Sequence, residues 1–146
     1  VFAQTNHRNQ LYDGDGIQFA FDSDSKGYAD KRIEFQATLT PTGAELYKEF
    51  APNLGGDLPG GYTSPGNLVD KDNYELTVSD IPGGKRYLLR LKLSELYPMT
   101  VRAGAPLRFS LLVNEHDGKR RAGYVNWANG IGEDKNPVVY GTLEFR

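Results

Sequence analysis

The sequence predicts an all-β domain built from antiparallel strands. Its 17 glycines and 8 prolines divide the 146 residues into short pieces. Most of these pieces alternate apolar and polar residues with the period of two that half-buried strands show. The length matches the commonest domain size of about 100–150 residues. We therefore expect a single domain over residues 1–146, with one core.

Six segments carry this alternation and are the predicted strands: residues 16–22, 32–39, 74–78, 87–93, 107–113 and 138–145. In the second segment the residues of one face are Ile33, Phe35, Ala37 and Leu39, and those of the other are Arg32, Glu34, Gln36 and Thr38. A strand of this kind is expected to turn its apolar face to the core and its polar face to water.

Two connections can be predicted from residues that break strands. Residues 51–66 contain too much proline and glycine for a helix or a central strand, so they form a long loop. Tyr62, in the middle of this loop, is either displayed to solvent or packed on the sheet. A helical turn is expected at residues 94–98, where Pro98 ends it.

Composition excludes several classes of protein. The absence of cysteine excludes a disulfide scaffold, a thiol nucleophile and thiolate metal sites. A net charge of −2 provides no broad positive surface for a phosphate backbone, so we expect no nucleic-acid partner. No stretch approaches the roughly 18–20 consecutive apolar residues of a membrane span, so no membrane partner is expected.

Catalytic motifs are also missing from the sequence, which has no nucleophile elbow, phosphate-binding glycine loop or zinc-binding helix motif. His116 and Asp117 are adjacent, and neighbours on a strand point to opposite faces. With 19 acidic residues some close carboxylate pair is inevitable, so such a pair is poor evidence for glycoside hydrolysis. The sequence predicts a protein that is not an enzyme.

Three turns are rich in aspartate: residues 13–15, 22–27 and 115–118. Alternate acidic residues in a turn place several oxygens around one point, which suits calcium. The second turn is the candidate metal site, with a structural Ca²⁺ bound by Asp22 or Asp24, although Lys26 stands where a further ligand is needed. Asp with Gly is an ordinary turn former as well, so purely structural turns are the alternative.

The single tryptophan, Trp127, lies among glycine and polar residues in segment 123–132. A flat ring can cover the C–H face of a sugar while neighbouring amides meet its hydroxyls. The pattern therefore favours an aromatic platform for carbohydrate. The alternative is a core tryptophan whose indole N–H donates to a backbone carbonyl.

Three motifs together resemble family 9 carbohydrate-binding modules and the wider DOMON-like group of β-sandwiches, which have a jelly-roll type of fold. The first runs from Tyr12 to Gln18, the second is the Asn-Glu-x-Asp-Gly turn that begins at Asn114, and the third is Trp-x-x-Gly at Trp127. The resemblance extends from about Tyr12 to the C terminus in the same order, with a variable middle between residues 45 and 73.

The resemblance implies an antiparallel β-sandwich that holds a sugar unit between two aromatic rings. Trp127 matches one ring and Tyr12 the other, and Gln18 stands where a sugar-bonding glutamate is common. Candidate residues for the polar rim are the amides Gln18, Asn114, Asn126 and Asn129, which can donate and accept as a neutral polyol requires. A charged sugar such as a uronate would need an arginine, and the candidates are Arg32, Arg86, Arg120 and Arg121.

The resemblance also implies a cellular location, a partner and further strands. Modules of this group are accessory domains of secreted bacterial glycan-degrading enzymes, so we expect a secreted or cell-surface location and a poly- or oligosaccharide partner. They have further strands before the Tyr12 region, of which only the segment Val1-Phe-Ala-Gln4 has a counterpart here. A sandwich without them exposes a strand edge and part of its core. The alternatives are that a catalytic domain, another segment or another chain supplies those strands, that the sequence has diverged from the group, or that proteolysis removes them.

Two other functions fit parts of the sequence. A DOMON-type haem-binding electron-transfer domain would use Met99 and His116 as the natural axial pair. A structural docking domain of a multidomain enzyme would present a large apolar interface and would bind no glycan.

Overall fold

The computed structural model describes residues 2–6, 8–23, 32–51, 61–62 and 69–146. These residues form an all-β fold, as predicted. The strands are β1 (Gly16–Asp22), β2 (Ile33–Thr40), β3 (Gly43–Ala51), β4 (Gly61–Tyr62), β5 (Tyr74–Ile81), β6 (Gly84–Leu91), β7 (Pro106–His116), β8 (Arg121–Trp127) and β9 (Gly141–Glu144). Short 3₁₀ helices span Arg8–Asp13, Lys71–Asn73, Leu93–Leu96 and Pro137–Val139.

The strands make two antiparallel sheets. The larger sheet has the order β4-β3-β2-β1-β7-β8, and β9 pairs with the first part of β7 on the same side as β8. The smaller sheet is the β5–β6 hairpin. This arrangement confirms the predicted antiparallel β-sandwich.

The predicted elements match the structure unevenly. The first strand has the predicted bounds, and the helical turn is the 3₁₀ helix Leu93–Leu96. Strands β3 and β8 were not predicted, and the last predicted strand begins only at Gly141 because Pro137–Val139 is a 3₁₀ helix. Within the predicted loop, Gly61–Tyr62 forms β4. The rest of residues 52–66 and the Tyr62 side chain lie outside the described residues.

The core lies between the large sheet and the β5–β6 hairpin. Phe19 of β1 and Phe35 of β2 stack with ring centroids 5.1 Å apart, and Leu46 of β3 is fully buried beside them. Leu76 and Leu89, a cross-strand pair of the hairpin, pack against this cluster. Burial of these side chains is the main source of stability for a domain of this size.

The second face of β2 was predicted to meet water, and this prediction is wrong. Glu34 and Thr38 are fully buried and Gln36 is 2% exposed. The 3₁₀ helix Arg8–Asp13 covers this face and contacts β1, β2, β3 and β7. Residues 131–140 cover it as well, through a second apolar cluster that contains Ile131. The polar side chains of β2 therefore form a buried polar layer.

Part of the core face remains uncovered beyond the hairpin. Val125 is 72% exposed, and Val113, its partner across β7 and β8, is also exposed. Both line a cavity of about 990 Å³ between the hairpin and the large sheet, together with Ile17 and Tyr87. In the described part of the chain no helix is long and apolar enough to cross a membrane.

Candidate functional site

Strand register decides which residues share a face of the large sheet. Gln36, Gln18, Leu112 and Asn126 are successive cross-strand partners from β2 to β8, so they lie on the polar face. Phe35, Phe19, Leu111 and Trp127 form the adjacent row, which lies on the apolar face. Opposed residues of antiparallel strands point the same way.

A polar cavity of about 470 Å³ opens on the polar face. Its described lining is Gln10, Tyr12, Gln18, Gln36, Glu49, Arg121, Ile131, Gly132 and Lys135. Tyr12 comes from the 3₁₀ helix Arg8–Asp13 and is 43% exposed, so its ring is open to a ligand. The volume lies within the range of about 300–1,000 Å³ that small-molecule sites occupy.

Two glutamines of this cavity have unused hydrogen-bonding capacity. Gln36 donates from Nε2 to Glu49 Oε2 at 2.9 Å, while its buried Oε1 has no partner among the described residues. Gln18 is buried at the cavity wall, and its side chain makes no hydrogen bond to a described residue. Buried polar atoms are normally paired, so these amides are suited to receive hydroxyl groups from a ligand.

Glu49 reaches the cavity because it lies on the polar face of β3, two residues after Tyr47, the cross-strand partner of Gln36. A bulge follows directly: Phe35 pairs with Lys48 and Glu34 pairs with Phe50, which leaves Glu49 without a cross-strand partner in the register. The bulge places Phe50 on the polar face as well. Burial raises the pKa of the Glu49 carboxyl, and the nearby Glu34 raises it further.

Lys135 closes one side of the cavity through a buried ion-pair network. Its Nζ lies 2.5 Å from Glu34 Oε1, and Arg32 Nε lies 3.4 Å from Glu34 Oε2. Arg32 also donates from Nη1 to the carbonyl of Lys135 at 2.5 Å. Lys135 has a φ of 56°, a left-handed conformation that non-glycine residues adopt rarely and that these contacts hold in place.

Arg121 forms another part of the wall and is held by neutral groups. Its Nε and Nη2 both donate to Asn114 Oδ1, at 3.0 and 2.6 Å. Its guanidinium carbon lies 5.0 Å from the centroid of the Tyr124 ring, which is a cation–π contact. The structure thus fixes the position of Arg121 without a carboxylate from the described residues.

The segment that carries Ile131, Gly132 and Lys135 is anchored on Tyr124. The Tyr124 hydroxyl donates to Glu133 Oε1 at 2.9 Å, and the backbone N–H of Gly130 donates to Glu133 Oε2 at 3.1 Å. These hydrogen bonds, led by that from Gly130, lower the pKa of Glu133. A Cβ on Gly132 would lie 2.6 Å from the Tyr124 ring, so only glycine allows this close approach.

Comparison with known proteins identifies the fold. No family model and no curated protein matches the chain. Two solved structures of a family 9 carbohydrate-binding module from Caldicellulosiruptor kristjanssonii are similar to it. The complex with cellotriose has a TM-score of 0.62 and 17% identity, with 99% of this chain and 63% of that chain covered. The complex with glucose has a TM-score of 0.63 and 16% identity, with 100% and 65% covered.

The chain has the fold of a family 9 carbohydrate-binding module. The resemblance seen in the sequence motifs is therefore confirmed at the level of the fold. The chain spans less than two thirds of the family 9 structures that it matches.

Within this family 9 fold the two predicted aromatic rings lie on opposite faces of the large sheet. Trp127 is 51% exposed, and its ring lies 5.8 Å from that of Phe109 and directly over Gly141 on the apolar face. Tyr12 lines the cavity on the polar face. The expectation that Tyr12 and Trp127 flank one sugar is therefore wrong, because the β7–β8 register turns Trp127 away from the cavity.

The predicted amides are divided between two places. Gln18 lines the cavity. Asn114 does not line it, but its side chain accepts two hydrogen bonds from Arg121, which does. Asn126 donates from Nδ2 to Asn129 Oδ1 at 3.0 Å, and neither residue lines the cavity. Gln36 lines the cavity but was not among the predicted site residues, although a polar residue in a central strand was the available signal.

The candidate metal site is described only in part. Asp22 is fully buried at the end of β1, and Asp24 lies outside the described residues. Among the residues that are described, no group of three or more aspartate, glutamate or histidine side chains could hold a metal ion. The calcium site stays a prediction.

The two residues proposed for haem ligation occupy different surroundings. Met99 is buried in the core between the sheets. His116 ends β7, and its Nδ1 accepts a hydrogen bond from the backbone N–H of Gly118 at 3.0 Å. The cavity that His116 lines does not include Met99 among its described lining residues.

Proposed function

We propose that this chain is a non-catalytic carbohydrate-binding module that holds a sugar unit in the polar cavity at Tyr12. The observation that carries this proposal is the combination, in one cavity, of an open aromatic ring with two buried glutamines that have unused hydrogen-bonding atoms. A sugar presents an apolar C–H face and a rim of hydroxyls, and this lining is complementary to both.

The distribution of carboxylates supports binding rather than hydrolysis. Glycosidases use two carboxyl groups on either side of the scissile bond. Glu49 is the only carboxylate among the described lining residues, and Gln36 donates to it. The nearby Glu34 is fully buried and is neutralised by Arg32 and Lys135, so it is not available to a ligand.

The similar structures support the same proposal. The family 9 module from Caldicellulosiruptor kristjanssonii was solved with cellotriose and with glucose. We extend sugar binding from that module to this chain, and with it the role of a secreted accessory domain of a glycan-degrading protein. The ring that contacts the sugar is Tyr12 alone, because Trp127 lies on the other face.

The test is affinity gel electrophoresis of the purified protein through a panel of soluble glucans, xylans, mannans and pectins. Gln18→Leu removes the hydrogen bonds at the cavity wall and should reduce retention. Asn126→Leu is the matched control, since Asn126 is an amide on the same face but outside the cavity. Retention that Gln18→Leu loses and Asn126→Leu keeps supports the proposal, provided that both variants melt cooperatively.

A second candidate function is docking to another β-strand. The apolar strip formed by Val113, Val125 and Trp127 is exposed on the core face, beside the β5–β6 hairpin. Exposed apolar surface next to a strand edge is a typical site for strand pairing. A folded protein that is retained by no glycan, and whose self-association in sedimentation is abolished by Val125→Lys, would favour docking over sugar binding.

A further inference from the structure

Among the described residues, the charged side chains that line the polar cavity, taken with their ion-pair partners, carry an excess of positive charge. Arg32 and Lys135 both lie against the buried carboxylate of Glu34, and Glu49 supplies a second carboxylate at the wall. The two positive and two negative charges of these four groups cancel. Arg121 then contributes one positive charge that no described carboxylate neutralises, and the cavity is suited to an anion.

Arg121 also has N–H donors that no described residue uses. A guanidinium has five N–H donors in a planar fork. Two of them are used by Asn114 Oδ1, and the other three have no acceptor among the described residues. The Asn114 contact and the Tyr124 ring hold the group in place, so a ligand need not order it.

The other candidate arginines are placed differently. Arg32 is buried against Glu34 and stacks on Phe50 with a distance of 4.1 Å from its guanidinium carbon to the ring centroid. Arg86 is exposed on the β5–β6 hairpin, and Arg120 is exposed in the turn before β8. Arg121 is the candidate that lines the cavity with Tyr12 and Gln18.

We propose that the cavity binds an acidic sugar, a hexuronate unit, and that Arg121 binds its carboxylate. This inference rests on the proposed function and specifies its ligand. The Tyr12 ring covers the C–H face of the sugar, Gln18 and Gln36 meet its hydroxyls, and the guanidinium of Arg121 supplies a charge-assisted pair of hydrogen bonds to the carboxylate.

The experiment compares two sugars that differ at one carbon. Methyl β-glucoside and methyl β-glucuronide are titrated into the protein at low salt, and dissociation constants are read from NMR chemical shifts. The wild-type protein is expected to bind the glucuronide about tenfold more tightly or better, because hydrogen bonds to charged groups are stronger than neutral ones. This preference should shrink as sodium chloride is added.

Variants separate the role of Arg121 from a structural one. In Arg121→Gln the ratio of the two dissociation constants should fall to about one, and Arg121→Lys should give an intermediate ratio because it keeps the charge but not the fork. Arg120→Gln is the matched control and should keep the wild-type ratio. A merely structural role would weaken both sugars equally and leave the ratio unchanged.

The possible failures are distinguishable. A wild-type protein that binds the glucoside as tightly as the glucuronide overturns the acidic-sugar inference and leaves sugar binding intact. The same conclusion follows if the preference survives in Arg121→Gln. A folded protein that binds neither sugar, and that no polysaccharide retains in the gels, overturns the proposed function together with this inference.

Discussion

Replacing Tyr12 and Trp127 one at a time tests which face of the large sheet binds the sugar. We expect Tyr12→Ala to weaken binding of methyl β-glucuronide, the probe of the proposed site, and Trp127→Ala to leave it within about twofold of the wild-type value. The physical reason is that Tyr12 lines the polar cavity, whereas Trp127 packs on Phe109 on the other side of the sheet.

The exposed area of Tyr12 sets the size of the expected effect. A tyrosine side chain has roughly 200 Å² of surface, so an exposure of 43% leaves about 90 Å² open. If a sugar covers about 60 Å² of this area, burial at about 25 cal/mol/Å² contributes about 1.5 kcal/mol. The loss on Tyr12→Ala is therefore about tenfold in the dissociation constant.

The assay is an NMR titration with methyl β-glucuronide, and thermal melting of each variant checks that it is folded. Tyr12 is partly exposed, so its truncation should lower the melting temperature little. A loss of binding in Trp127→Ala that equals or exceeds the loss in Tyr12→Ala would refute the placement of the sugar on the polar face. The sugar-binding site would then lie at Trp127, the residue that the sequence motif favours.

Three further predictions concern stability. Gly132→Ala places a Cβ 2.6 Å from the Tyr124 ring and should cost about 1–3 kcal/mol in denaturant unfolding, whereas Gly123→Ala, whose Cβ would meet nothing within 4 Å, should cost little. The raised pKa of Glu49 means that the folded state binds its proton more tightly, so the stability it contributes is present at low pH and is lost as pH rises above the ordinary value of 4.5. Glu49→Gln should flatten that slope in denaturation between pH 4 and 7, and an unchanged slope would contradict it. If Asp22 holds Ca²⁺, a chelator should lower the melting temperature, and no shift would count against calcium.

The strands that could be predicted are those with one apolar face. In β1, Ile17, Phe19 and Phe21 alternate with small or polar residues, and its bounds follow directly from this pattern. In β3, Leu46 and Tyr47 are adjacent and both buried, because both faces of the sheet are covered there. β2 is also buried on both faces, but its second face is polar, so the period of two persists there; in β3 the adjacent Leu46 and Tyr47 place apolar side chains on both faces, and the period is lost.

The cavity could be predicted only in part, because its wall joins distant parts of the chain. Tyr12 and Gln18 are close in sequence and share a motif, so both could be predicted. Lys135 reaches the site through Glu34, 101 residues away in the chain, and such a contact depends on the complete fold. The polar face of β2 was nevertheless a usable signal, since a central strand that carries Glu34 and Gln36 needs a polar environment on that side.

Trp127 lies on the opposite face from the one predicted, and the cause lies in the pairing of β7 with β8. His116 pairs with Arg121, but Glu115 pairs with Gly123, so Ala122 is an extra residue in a bulge. If Ala122 were instead paired with Glu115, without a bulge, the register would shift by one and Trp127 would pair with Ser110, which lies on the polar face with Ala20. Because side chains alternate with a period of two, one bulged residue moves every later side chain of β8 to the other face. A tryptophan in a polar, glycine-rich segment therefore indicates exposure, which the structure bears out, but the face on which it is exposed depends on a bulge that the motif does not encode.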